Sequence, residues 1–321
     1  MNETDNERYE SKTYKTTPGK NGIICRPVIV DIRKTHFGRE PQKRPSASRD
    51  IDLLKKTFNK LPWFHPEPYI INDENSVNEH DPLYSTDNLK KELKNIASNE
   101  DITKHAEMFV CVVLAFGESG YFYLPNDPIN DQIRSNKPPK FSVNDLLWFF
   151  KGLFCPNLIL KPKVFLIQTC NPFLVKKNKA FFSGEEEEEP SRIQRTPIEA
   201  DILVYQSIVS GGYTDRMKPE TKRGLGEYID HIGNTDGQSA CQFVYALYKE
   251  VTALTDKEGE FELNDLILNV NRSLEDFIKK EHYKSDERDK PWKQGPPEVP
   301  VCIDQLTKKL VLKTRQSNPG I

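Results

Sequence analysis

The sequence predicts an α/β protein with a central, mostly parallel six-stranded sheet and helices on both faces. Three observations lead there. Short β-branched runs alternate with longer amphipathic segments, the pattern of parallel strands joined by crossover helices. The apolar runs are near-continuous rather than alternating, as strands covered on both faces require. Finally, 321 residues with 36% hydrophobic content can bury one large core while leaving long solvated segments beside it.

The elements follow in order. RPVIVDI (26–32) is an apolar, β-branched run and EPYIIND (67–73) another. Between them SASRDIDLLKKTFNKL (46–61) places Ile51, Leu54, Phe58 and Leu61 at helical spacing with charges on the opposite side, completing a βαβ unit. STDNLKKELKNIAS (85–98) reads as a second helix, and EMFVCVVLAF (107–116), the longest apolar run, as a buried central strand. FSVNDLLWFFKGL (141–153) opens with Ser142 and Asp145 at capping-box spacing, so a helix starts there. KVFLIQTC (163–170) supplies the next parallel strand. Residues 171–197 carry five consecutive glutamates and three prolines without helical or strand period, which predicts an exposed acidic linker. A strand at 199–209, helices at 236–251 and 262–280, and a last strand KKLVL (308–312) complete the order. The expected organisation is a disordered lead (1–25), one domain (26–313) divided into 26–170, the linker 171–197 and 198–313, and a short tail (314–321).

Composition excludes several function classes. The formal charge is -2 and there is no basic block beyond Lys176, Lys177 and Lys179, so a nucleic-acid footprint is missing. No apolar run approaches the ~20 residues that span a bilayer. The start MNETDNERYESK has no apolar signal core, and a cytoplasmic protein is expected. Six cysteines at 25, 111, 155, 170, 241 and 302 are scattered, with no Cys-x-x-Cys and no histidine pair at metal spacing. They read as reduced thiols, with no metal or other cofactor implied.

Chemistry centres on FLIQTCNP (165–172). A thiol at the end of an apolar run, followed by Asn171 and Pro172 that stop the strand, is displayed at the strand's C-terminal edge. That is where open α/β sheets keep their reactive groups.

From roughly 26 to 313 the chain resembles the caspase family, through four blocks in the family's order. FVCVVLAFGESG (109–120) is similar to the strand that leads into Ser-His-Gly-Glu-x-Gly, and CPNLILKPKVFLIQTC (155–170) to the lead into Gln-Ala-Cys-x-Gly. TPIEADILVYQSIVSGGYTDR (196–216) resembles the start of the small subunit, and LTKKLVL (306–312) its last strand. The resemblance implies a thiolate that attacks the scissile carbonyl, a histidine that moves protons, and backbone N–H groups that hold the oxyanion. Cys170 matches the nucleophile. The histidine is expected ~50 residues upstream, and Phe116 stands at that position. Phenylalanine cannot move a proton, which removes about 100-fold to 10,000-fold of rate. Gly117 matches a backbone donor of the oxyanion site, while Asn171 and Pro172 replace the residues that normally follow the cysteine and stiffen that turn. Among the histidines, His36 is the one expected at the same sheet edge, and His105 falls at the opposite end.

The resemblance also implies a pocket that clamps an aspartate side chain between two arginines and a glutamine, because a buried carboxylate needs charged or bidentate donors. Arg44, Gln168 and Arg216 match those three, with Tyr213 beside them. Asp215 stands where the family often has Trp and could pair with Arg216. Residues 171–200 contain no Asp, so cleavage by caspases in the linker is not expected, and the insertion 217–235 enlarges a loop that borders the peptide groove. The lead of about 25 residues is too short for a recruitment domain. The implied reading is a pseudocaspase, catalytically inactive or strongly impaired, that regulates active caspases and apoptosis. It would pair with them, or with itself, through the edge strand 308–312, or act as a decoy for aspartate-containing peptides. The competing reading is a slow cysteine endopeptidase cleaving after aspartate with Cys170 as nucleophile.

Overall fold

Six strands in the spatial order β11-β9-β8-β5-β1-β4 form the spine of the molecule. They are β1 (Val28–Asp31), β4 (Tyr69–Asn72), β5 (Phe109–Glu118), β8 (Lys163–Asn171), β9 (Ile202–Ser210) and β11 (Val301–Asp304). The computed structural model describes residues 12–18, 22–37, 40–44, 46–73, 86–118, 120–125, 138–171, 200–210, 240–257, 259–284 and 300–314, some of them as backbone alone. The acidic linker and the 217–235 insertion lie outside the described residues. The five strands from β9 to β4 run parallel, and β11 alone is antiparallel to its neighbour. This is the mostly parallel six-stranded sheet that the alternating pattern predicts.

Helices cover both faces because every second residue of a strand points to the same side. On one face α1 (Ala47–Lys60), α4 (Gln242–Thr255) and α5 (Leu263–Lys284) pack over Val110, Val112, Leu114, Val164, Leu166 and Leu203. On the other, α2 (Thr86–Ser98) and α3 (Val143–Trp148) cover Cys111, Val113, Phe165, Ile167 and Val204. Ile51, Leu54 and Phe58 of α1 are buried, as their spacing predicts. Ser142 caps α3, its hydroxyl accepting the Asn144 N–H at 3.1 Å. That helix is shorter than its apolar content suggests: it ends at Trp148, and tighter turns carry the chain on to Phe154.

Two expectations are corrected. The segment 308–312 is not the sixth strand of the main sheet. Within it, Leu310 and Leu312 are buried against α5 and Phe261, and β12 (Val311–Lys313) pairs with β10 (Glu260–Glu262) in a separate two-stranded sheet. The sheet edge is β11, whose Val301 and Cys302 are exposed. It follows a proline-rich stretch that conceals it in the sequence, because proline removes a ladder donor and argues against a strand. The lead 1–25 is also not wholly detached from the domain. Tyr14 is buried, donates to Asp201 Oδ1 at 2.5 Å and accepts the Thr307 N–H at 3.0 Å, while Ile24 and Cys25 join the core. Asp201 sits at φ 68 immediately before β9, in a turn whose backbone bonds to Lys163 and Gln305 hold both flanking strands.

Short elements escaped the pattern because they have too few residues to show a period. The hairpin of β2 (Lys34–Phe37) and β3 (Glu40–Lys43) follows β1. The pair β6 (Tyr121–Tyr123) and β7 (Lys140–Ser142) extends the sheet beyond the end of β5.

Replacing Tyr14 by Phe removes the hydroxyl that joins Asp201 to the Thr307 N–H. Asp201 Oδ1 keeps the Thr307 hydroxyl, so the change removes hydrogen bonds without stranding the carboxylate, a cost of about 0.5–1.5 kcal/mol. The expected outcome is a loss of that size in urea unfolding, with the sheet intact by circular dichroism.

Candidate functional site

The parallel strands deliver their ends to one edge of the sheet, and the sequence-derived site residues meet there. β5 and β8 are in register so that Phe116 stands directly beside Cys170. The two pack with Tyr123 of β6 as a small apolar cluster separate from the two main cores. Cys170 is only 5% exposed. Burial pushes its thiol up to about 11, which the Arg44 charge and a hydrogen bond from Gln168 only partly offset. At neutral pH it is a protonated thiol between aromatic rings, the reverse of the electropositive, part-exposed setting that makes a nucleophile.

Gln168 shares the α1 face of β8 with Cys170, two residues away. It is buried, its Nε2 donates to the Thr169 carbonyl at 3.2 Å, and its Oε1 has no hydrogen-bond partner among the described residues. Gly117 continues β5 and opposes Phe122 of β6. A Cβ at Gly117 would lie 2.4 Å from the Tyr121 carbonyl oxygen and 2.9 Å from the Phe122 Cα. The glycine is thus required by the close approach of β6, whatever its backbone does for an oxyanion.

Arg44 opens the connection from the β2–β3 hairpin to α1, and its guanidinium lies inside the protein with 4% of the side chain exposed. Nη1 donates to Asp31 Oδ1 at 2.7 Å and to the Leu114 carbonyl at 2.9 Å, and Nη2 donates to Asp50 Oδ2 at 2.7 Å. Asp31, the last residue of β1, also accepts Arg33 Nε at 2.6 Å. Asp50, in the first turn of α1, accepts the Ser46 hydroxyl at 2.8 Å and the Cys241 backbone N–H at 2.7 Å. Burial opposes the Arg44 charge, but the Asp50 and Asp31 carboxylates outweigh it and hold the guanidinium above its ordinary value. Burial also pushes the Asp50 carboxyl up, against the Arg44 charge, the Cys241 N–H and the Ser46 hydroxyl. Cys241 is the residue from which α4 starts, so this carboxylate joins the part of the chain before the linker to the part after it.

The structure therefore brings Cys170, Phe116, Gly117, Gln168 and Arg44 to one sheet end. Tyr213, Asp215, Arg216 and Pro172 lie outside the described residues, as does the side chain of Asn171. His36 falls in β2, with its side chain outside the described residues, and His105 precedes β5 at the opposite end, 3.8 Å from Glu100. Sequence reasoning missed Tyr123, Asp31 and Asp50. A signal existed for Asp31: an aspartate closing the apolar run RPVIVD is a charge at the rim of a core, and such a charge needs a cation.

Comparison with known proteins agrees with this geometry. The model of the caspase domain matches residues 28–311. Caspase-3 of Mus musculus is 29% identical over 212 residues, 66% of this chain and 65% of that protein. Caspase-3 of Felis catus is 24% identical over 306 residues, 95% of this chain and 89% of that one. Among solved structures, caspase-1 from Spodoptera frugiperda superposes with a TM-score of 0.58 at 20% identity, covering 96% of both chains. The structure of pro-sf-caspase-1 gives 0.64 at 17% identity, covering 96% of this chain and 95% of that one. Fold and site together define an α/β domain with a cysteine at the end of a central parallel strand. The chain belongs to the caspase-domain family.

Two measurements test the site. Gly117→Ala forces a Cβ into backbone and is expected to cost about 1–3 kcal/mol or more, read from urea unfolding. Alkylation with iodoacetamide at pH 7.5 is expected to label Cys302 ahead of Cys170 because Cys302 is exposed, although partial burial and Asp304 also raise its thiol to about 11. The folded Cys170 keeps its proton until pH rises toward about 11, so its labelling accelerates only in that direction. Rapid labelling of Cys170 at neutral pH would contradict the buried, protonated thiol.

Proposed function

We propose that this chain is a catalytically impaired member of the caspase family, a cytoplasmic regulator of active caspases and of the apoptotic proteolysis they carry out, working by pairing rather than by cleavage. One observation carries the reading: the reactive thiol position is roofed by Phe116 and Tyr123, where the chemistry needs an ionised sulfur and a proton carrier. The hydrocarbon ring of Phe116, at the position of the proton carrier, supplies neither. It also excludes the water and polar groups that would stabilise a thiolate.

The pairing surface fits β11. An edge strand presents unpaired backbone N–H and C=O groups, and a two-fold partner can add its own edge to continue the sheet. Val301 is 53% exposed on that edge, an apolar side chain that a partner strand would cover.

The tests separate enzyme from partner. Purified protein is expected to leave peptides with aspartate at P1 uncut, and turnover that disappears in Cys170→Ala would sink the reading. Phe116→His is expected to recover less than about tenfold of the 100-fold to 10,000-fold that a general base provides, because Tyr123 still covers the thiol. Co-purification with an active caspase, or self-association by sedimentation, is expected to weaken about tenfold or more in Val301→Lys, which places a charge on the edge.

A further inference from the structure

We propose that Asp31 and Asp50 have taken Arg44 as their own counter-ion, so that this position does not recognise an acidic side chain, and that Asp31 is the residue which sets this block. The proposal rests on the reading of the chain as a caspase-family regulator and narrows it: aspartate-containing peptides are not captured, and the decoy role falls away.

Three of the five N–H donors of Arg44 are engaged, both on Nη1 and one on Nη2. Nη1 serves Asp31 and the Leu114 carbonyl, with the Ile32 carbonyl at 3.4 Å, and Nη2 serves Asp50. Charge is engaged as well. Among the described residues Arg33 pairs with Asp31, and Arg44 with both Asp31 and Asp50, and the two carboxylates are wholly buried. At Arg44 an incoming carboxylate would be a third anion beside two that are already fixed, and a buried anion there needs a further cation. Gln168 adds to the effect. Its Nε2 faces the Thr169 carbonyl, since a carbonyl only accepts, and this orientation leaves Oε1 without a hydrogen-bond partner among the described residues. That atom is an acceptor, and it repels a carboxylate oxygen.

The two carboxylates are not equivalent. Asp50 also receives the Cys241 N–H and the Ser46 hydroxyl, so an amide there would set a donor against donors. Among the described residues Asp31 receives only the two guanidinium groups by hydrogen bond, and asparagine keeps an acceptor for one of them while removing the charge. Asp31→Asn therefore removes one of the two carboxylates that hold Arg44 while leaving an oxygen acceptor in place.

The experiment uses the full chain and two N-acetylated, C-terminally amidated tetrapeptides that differ only in aspartate or asparagine at the fourth position. Binding is followed by calorimetry and by the shift of protein NMR signals. Wild type is expected to show no preference for aspartate. Asp31→Asn is expected to prefer it by about tenfold, the scale on which one charge discriminates. A tenfold preference for aspartate in wild type overturns the proposal, and so does an Asp31→Asn protein, folded by circular dichroism, that gains none. A second measurement stands without any variant: phenylglyoxal, a 1,2-dicarbonyl that modifies free guanidinium groups, is expected to spare Arg44 in the native protein while the exposed Arg272 reacts. Rapid modification of Arg44 overturns the proposal. Mass spectra of the same peptide mixtures report hydrolysis separately. A cleaved product would remove the pairing-only function without restoring aspartate preference, and aspartate preference without cleavage would remove this inference alone.

Discussion

The site end of this domain depends on one buried guanidinium. Arg44 joins the last residue of β1, the backbone of β5 at Leu114 and the first turn of α1, and through Asp50 it reaches the residue from which α4 starts. A charge in that position is tolerated only because its partners are placed to meet it. Removing one member of such a buried set costs about 3–5 kcal/mol, since it strands the others without solvent. The pieces of chain on either side of the linker are therefore joined by the hydrogen bond from the Cys241 N–H to the Asp50 carboxylate as well as by the apolar packing of α1 against α4.

A second constraint is the register of β5 on β8. Parallel pairing sets residue 116 beside residue 170, so the side chain at 116 decides the medium around the thiol. With phenylalanine there, and Tyr123 closing over it, the apolar interior extends to the end of the sheet. The raised thiol pKa is the electrostatic expression of that extension: a sulfur anion has lost its water and gained too little in return. Packing and chemistry compete for the same few side chains, and at this sheet end packing has prevailed.

The opposite consequence appears at β11. Its residues are mostly exposed, in contrast to the wholly buried β1. The strand adds a single antiparallel ladder to β9 and leaves its other side unpaired within the described chain. A sheet whose interior strands are sealed on both faces can grow only at an edge, which makes the edge the natural place for a relative to join.

Much of this was legible in the residues themselves. Continuous runs such as FVCVVLAF and KVFLIQTC announce buried parallel strands, the spacing of Ile51, Leu54 and Phe58 announces the helix between β1 and β4, and the positions of Cys170 and Phe116 in their strands place them at one sheet end. Periodicity is a local property, and these elements are long enough to display it. Other features were decided only in three dimensions. The edge strand is VCID rather than KKLVL, because the burial of Leu310 and Leu312 against α5 depends on where that helix lies. Arg44 looks available in the sequence, and only the folded chain shows that it is held by carboxylates 13 positions before it and 6 after it. A residue's type and spacing establish which interactions it can make. Which of them it makes depends on groups brought near from distant parts of the chain, and on the loss of solvent that forces each buried charge to find a partner there.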